Sequence, residues 1–143
     1  MIAVDTNILI YAHRVDMPLH AAAAKRLTEL ATGPSLWAIP WPCVHEFLGV
    51  ITNPRVFREP TPLPIAIDFL QQLRDSGRCT LLSEASTHFV TLSQLLRNAS
   101  IKGAQVHDAR IAAICIGHGA SELWSADRDF SRYPALRVKN PLL

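Results

Sequence analysis

The chain has 143 residues, of which 49% are hydrophobic and 18% charged, and its net charge is +2. That length suits one domain with a real core, and that apolar content excludes a disordered chain. No apolar run reaches the length of a membrane span and no basic leader precedes the first apolar stretch, so a soluble cytoplasmic protein is expected.

In chain order, short apolar runs alternate with helical periodicity. The first strand is expected at Ile2–Val4 and the first helix at Asn7–His13. His20–Ala31, with its alanine run, reads as the second helix, and Thr32-Gly33-Pro34 stops it before a strand at Leu36–Ile39. Pro42 opens a third helix, Pro42–Thr52, at a position where its missing N–H costs nothing. Asn53 to Pro64 carries four prolines and cannot continue that helix. It is either a rigid connector or a lip for a partner, offering Val56 and Phe57 beside Arg55 and Arg58. A helix follows at Pro64–Ser76, then a strand at Cys79–Leu82. Helices at Ser86–Asn98 and Gln105–Gly117 precede strands at Leu123–Ser125 and Leu136–Val138. This alternation predicts a single α/β domain over residues 1–143, with a parallel sheet whose strands are covered on both faces.

The cysteines Cys43, Cys79 and Cys115 are odd in number and far apart, which argues against both a disulfide framework and a zinc site. Trp37, Trp41 and Trp124 lie in or beside apolar runs and read as core. His13, His20, His88 and His118 read as surface or cap residues. His45 and His107 each precede an acid, but adjacent helical residues point about 100° apart and do not share a site.

Four acids stand at structural punctuation points. Asp5 follows the first strand and, with Thr6 and Asn7, gives three consecutive helix-capping residues where one cap would do. The carboxyl end of a parallel strand is also where α/β folds bind ligands. Glu46 lies nearly opposite the stripe Val44, Phe47, Leu48 and Ile51, as an exposed glutamate would, although Cys43, Gly49 and Val50 surround it. Asp108 heads the stripe Ile111, Ala112 and Cys115, either as a partner of the helix dipole or as a metal ligand. Asp127 and Asp129 follow the strand near Ser125 and either cap a turn or supply one metal-facing and one positioning carboxylate. The Ser125 hydroxyl offers a hold on a ligand or a phosphate.

No phosphate-cradling glycine loop, dinucleotide fingerprint or nucleophile elbow occurs. A carboxylate cluster without a nucleophile suits hydrolysis by water activated on Mg2+ or Mn2+, both hard cations that accept oxygen ligands. Discounting Asp5, Glu46, Asp108 and Asp127 raises the net charge by four, to +6. Residues 97–143 hold seven Lys and Arg against four acids, a balance that could hold a polyanion beside a metal.

Val4-Asp5-Thr6-Asn7-Ile8-Leu9, the isolated Glu46, His107-Asp108-Ala109-Arg110-Ile111-Ala112-Ala113 and Ser125-Ala126-Asp127-Arg128-Asp129-Phe130 together resemble the PIN-domain ribonucleases. The resemblance is to the VapC toxins of bacterial toxin–antitoxin pairs, and it spans essentially the whole chain. It implies a three-layer α/β/α sandwich around about five parallel strands and a Mg2+- or Mn2+-dependent endoribonuclease. Asp5, Glu46, Asp108 and Asp127 would then form the metal-binding pocket, with Asp5 and Asp108 as direct ligands. Thr6 or Asn7 would orient Asp5, Asp129 would support the cluster, and Ser125 would stand where the family commonly has threonine. The resemblance further implies a VapB-like antitoxin that inserts a peptide into the acidic groove, a toxin homodimer, and an RNA substrate (tRNA, rRNA or mRNA). Two rival readings share the fold: a nuclease of RNA processing or DNA flaps, and a silent binding module. The length speaks against the first and the intact acidic set against the second.

Overall fold

The computed structural model describes residues 1–143. In chain order its elements are β1 Ile2–Val4, α1 Thr6–His13, α2 His20–Thr32, β2 Trp37–Pro40, α3 Trp41–Ile51 and α4 Leu63–Asp75. There follow β3 Cys79–Leu82, α5 His88–Asn98, α6 Gln105–Gly117, β4 Glu122–Trp124, a 3-10 turn at Arg128–Arg132, and β5 Val138–Lys139. The strands form one parallel sheet in the order β3-β2-β1-β4-β5. The chain steps outward from β1 to β2 to β3, then crosses back to β4 and β5. Right-handed crossovers put α1 to α4 on one face and α5 and α6 on the other. The result is the expected three-layer α/β/α sandwich, and the strand order reverses between β1 and β4.

Burial explains the strand composition. Ala3, Val4, Trp37, Ala38, Ile39, Leu123 and Trp124 are all buried, as strands covered on both faces require. On one face they pack against Ile8, Leu9, Val44 and Phe47, and on the other against Ala109, Ala112 and Ala113. A smaller cluster of Ala38, Leu82 and Ile114 seals the edge beside α6.

Element boundaries differ from the sequence expectation mostly by one or two residues. The exception in kind is β5, expected at Leu136–Val138 and found at Val138–Lys139. Leu136 is a buried anchor and donates its N–H to the Tyr133 carbonyl, so it belongs to the preceding turn. Trp41 is not core: it opens α3 and is 39% exposed, whereas Trp37 and Trp124 are buried. His13 is not a surface residue either. It is half-buried, edge-on to Phe47 and Phe69 with ring centroids 5.8 and 4.8 Å away.

The proline-rich segment is clamped to the end of α1. Phe57 is buried beneath the Arg14 guanidinium, 4.1 Å from its ring centroid. Arg14 donates to the Glu59 carbonyl at 2.8 Å and to Thr61 Oγ1 at 3.2 Å, and His13 Nε2 lies 3.1 Å from the same hydroxyl. The Thr61 N–H donates to the Ile51 carbonyl. Of the two apolar residues that could have faced a partner, Phe57 is therefore spent on anchoring and only Val56 is exposed.

Removing this anchor should loosen the segment without unfolding the sheet. Phe57→Ala is expected to cost about 3 kcal/mol. It should also open the chain to trypsin at Arg55 and Arg58 under native conditions. Unchanged proteolysis and an unchanged denaturation midpoint would contradict the anchoring role.

Candidate metal centre

β1 ends at Val4, and its pairing with β4 carries Asp5 to the level of Ser125. The Asp5 N–H donates to the Trp124 carbonyl at 2.9 Å, which fixes the backbone there. The point where strand order reverses opens a crevice beyond the strand ends, and Asp5 sits in it.

Asp5 is the N-cap of α1 and only 5% exposed. Its Oδ1 accepts from the Thr6 N–H at 2.8 Å and its Oδ2 from the Ser125 hydroxyl at 2.7 Å. The Asn7 amide nitrogen lies 3.3 Å from Oδ2 and the Cys43 thiol donates to Oδ1 at 3.5 Å. Burial lifts the Asp5 pKa above its ordinary value; the Ser125, Thr6 and Cys43 hydrogen bonds pull it back, and the Asp127 charge adds to the rise.

Asn7 and Ser125 tie the two sides of the crevice together. Asn7 Nδ2 donates to Ser125 Oγ at 3.3 Å, and Asn7 Oδ1 accepts from the Ala126 N–H at 3.1 Å. Ser125 Oγ also accepts from the Asp127 N–H at 3.0 Å. The buried Ser125 hydroxyl is thus committed to orienting Asp5 and the following loop, which leaves no hold on a phosphate. Asp127 caps the 3-10 turn by accepting from the Asp129 N–H at 2.8 Å.

The opposite layers supply the other acids. Asp108, in the first turn of α6, offers a carboxylate oxygen that lies within 4.8 Å of those of Asp127 and Asp129. Its pKa is raised by burial and by the charges of Asp127, Asp5 and Asp129, while Arg132 opposes the rise. Glu46 reaches the cluster from α3. Its pKa is raised by burial, then by Asp5 and Asp108, and is lowered in part by Thr6 and His107. The residue is exposed overall, as its periodicity suggests, yet its carboxylate feels both neighbouring acids.

His107 was set aside on helical spacing alone, and two further contributors were invisible in the sequence. His107, which precedes Asp108, acts on Glu46 from α6. Arg132 donates from Nε to the Asp129 carbonyl at 3.0 Å and lies 3.5 Å from its carboxylate. The buried Tyr133 hydroxyl has no hydrogen-bond partner and stands close enough to Asp108 and Asp129 to feel their charge. Only the acid spacing around Phe130 hinted that this turn mattered. Arg110 forms a solvent-exposed ion pair with Glu84, with Nε 2.7 Å from the carboxylate, and is not among the groups acting on the clustered acids.

The residues fit a hard divalent cation. All the clustered donors are carboxylate oxygens, and the buried Thr6 hydroxyl, beside Glu46, is without a partner. Asp108, Asp127 and Asp129, whose carboxylate oxygens lie within 4.8 Å of one another, would hold such an ion. The cysteines offer no alternative chemistry. Burial pushes Cys79 and Cys115 up to about 12 and raises Cys43 strongly, so none is a thiolate at neutral pH.

The sequence profile of the PIN domain matches residues 2–136. Ribonuclease VapC43 of Mycobacterium tuberculosis is 34% identical over 142 residues, covering 99% of this chain and 96% of its own. Ribonuclease VapC31 of the same organism is 30% identical over 143 residues, with both chains fully covered. Among solved structures, VapBC2 of Rickettsia felis bound to a promoter DNA fragment matches with a TM-score of 0.68 at 20% identity, over 97% of this chain and 98% of that one. VapC20 of M. tuberculosis, a sarcin-ricin loop cleaving toxin, matches with a TM-score of 0.66 at 18% identity, over 92% and 93%.

Two substitutions separate the roles of charge and scaffold. In chelator, Asp108→Asn should raise the melting temperature by a few degrees, because it removes a carboxylate from a mutually repelling set. Ser125→Ala should cost about 1–3 kcal/mol by leaving Asp5 and the Asp127 N–H unsatisfied. Equal melting temperatures for all three proteins would refute the electrostatic picture.

Proposed function

The chain belongs to the VapC ribonucleases of the PIN-domain family, and on that premise we propose that it is the toxin of a type II toxin–antitoxin pair, cutting RNA with Mg2+ or Mn2+. The observation that supports the reading is the grouping of Asp108, Asp127 and Asp129 carboxylates within 4.8 Å of one another, with Asp5 and Glu46 near enough to raise or feel a neighbouring acid's charge and no activated nucleophile among them. Cys43 is held protonated and Ser125 is engaged with Asp5, so the attacking group is water. When bound, a divalent cation supplies water of lowered pKa and charge stabilisation at the phosphodiester.

The side chains divide that work. Asp5 is the fixed ligand, since four donors hold its carboxylate in one orientation. Asp108 and Asp127 close the site from the facing layers, and Asp129 supports them from the turn that Arg132 braces. Glu46 is exposed and its pKa is raised, which suits it to take a proton from the attacking water. Thr6 and Asn7 orient Asp5, and Ser125 links Asp5 to Asp127.

An acidic pocket repels RNA until its charge is reversed, so substrate binding as well as turnover should need the cation. The same charge invites a VapB-like antitoxin, whose arginine could replace the cation's charge with bidentate hydrogen bonds. Structure neighbours that contain toxin and antitoxin together support this partner. No helix is long and apolar enough to cross a membrane. Action in the cytoplasm as a homodimer on tRNA, rRNA or mRNA completes the proposal.

Purified protein should cleave total RNA with Mg2+ or Mn2+ and lose that activity in excess chelator. Asp5→Asn or Asp108→Asn should lower the rate at least about a hundredfold while circular dichroism stays unchanged, the scale seen when a key electrostatic group is lost. Robust cutting in chelator would rule the metal mechanism out. Growth arrest on expression should be relieved by the protein encoded beside this gene, and toxicity that persists in Asp108→Asn would argue against a nuclease toxin.

A further inference from the structure

Trp41 opens α3, the helix that carries Cys43 to Asp5 and Glu46 towards the acids, and no part of the reaction described above uses it. β1 and β2 lie side by side in the sheet, and where β2 ends at Pro40 the helix α3 opens at Trp41, two residues before the Cys43 thiol that donates to Asp5 Oδ1. Adjacent strands lie about 4.8 Å apart, which brings the start of α3 beside the metal-binding loop.

The side chain is unusual for this protein. Trp37 is fully buried and Trp124 nearly so, whereas Trp41 is 39% exposed. It is also held in place. His45, one helical turn on, lies against it with ring centroids 5.8 Å apart and planes tilted by 35°. A large ring at the surface, pre-ordered by a second ring, loses little freedom when a flat ligand stacks on it.

The neighbouring groups suit a nucleic-acid strand. His107 lies close to Glu46. The β2–β3 register places Leu82 level with Pro40, and two residues beyond Leu82 the Glu84 carboxylate pairs with Arg110. On the far side of the acids, Arg128 and Ser131 line a groove of about 580 Å³ with Asp127 and Asn140. A strand whose phosphate reaches the acidic centre therefore has an aromatic platform on one flank and, on the other, a groove of mixed apolar and polar lining that offers the Arg128 guanidinium.

We propose that Trp41, ordered by His45, is the platform on which an unpaired RNA base next to the cleaved phosphodiester stacks. The inference rests on the ribonuclease reading and deepens it: the substrate is presented as an unstacked single strand or loop, not as a continuous duplex. Stacking of this kind tolerates any base, because each has a flat π-face. Trp41 thus positions substrate and takes no part in bond breaking, and His45 acts through Trp41.

The test is steady-state cleavage of a labelled single-stranded oligoribonucleotide in Mg2+ by wild type, Trp41→Ala and Trp41→Phe. Trp41→Ala should lower kcat/KM about tenfold, mainly through KM, as loss of one stacked base does. Trp41→Phe should recover most of it. An oligoribonucleotide made abasic on either side of the cleaved bond should be cut equally by wild type and Trp41→Ala. As a second readout, the base-bearing strand should quench tryptophan fluorescence in wild type, where Trp41 is the one exposed tryptophan, and not in Trp41→Phe. Wild-type kinetics in Trp41→Ala would overturn the inference. So would a change in sedimentation coefficient on Trp41→Ala, which would mark the ring as a contact between protein subunits. If wild type cuts no RNA in Mg2+ or Mn2+, the ribonuclease reading fails first, and this inference with it.

Discussion

Several carboxylates are forced together at one end of the sheet, and their mutual repulsion is the constraint on which the rest of the structure depends. Asp5, Glu46 and Asp108 all have raised pKa values, each first through burial and then through neighbouring acids. Carboxylates set apart from water repel more strongly than they would at an open surface. A fold relaxing freely would turn them outward. Here each is held in by the element that carries it.

The hold is strongest at Asp5. One backbone N–H, the Ser125 hydroxyl, the Asn7 amide and the Cys43 thiol surround its two oxygens. Asn7 and Ser125 in turn bond to each other and to the loop that carries Asp127, so the β1 and β4 ends move as one unit. Asp108 is fixed by the buried body of α6, from Ala109 to Cys115. Two helical layers on opposite faces of the sheet thereby aim their acids at a single point. A divalent cation at that point would offset the repulsion.

Much of this was legible in the sequence because the sandwich writes itself in alternation. Strands covered on both faces must be short and apolar, and five such runs appear between helical patterns. Asp5, Asp108 and Asp127 were legible for the complementary reason that each interrupts an apolar context. Glu46 was not, since on α3 it lies outside the stripe of Val44, Phe47 and Ile51, and only the tertiary fold, which brings the ends of two opposite layers together beyond the sheet, sets it near Asp108. His107 and Arg132 were hidden because their partners are set by tertiary contact, not by spacing. Trp41 misled in the other direction: hydropathy marks it as core, but it starts a helix and its ring faces water. The proline-rich segment gave no sign that Phe57 would sit beneath Arg14, since that contact joins distant parts of the chain.

The most direct test of the charge constraint is titration of the individual carboxyl groups by carbon-detected nuclear magnetic resonance, with and without Mg2+. In chelator, the Asp5, Glu46 and Asp108 carboxyls should titrate above their ordinary values, in overlapping, coupled steps. Saturating Mg2+ should shift the Asp5 and Asp108 titrations below the ordinary carboxylate range. Ordinary, independent titrations that ignore Mg2+ would contradict the account.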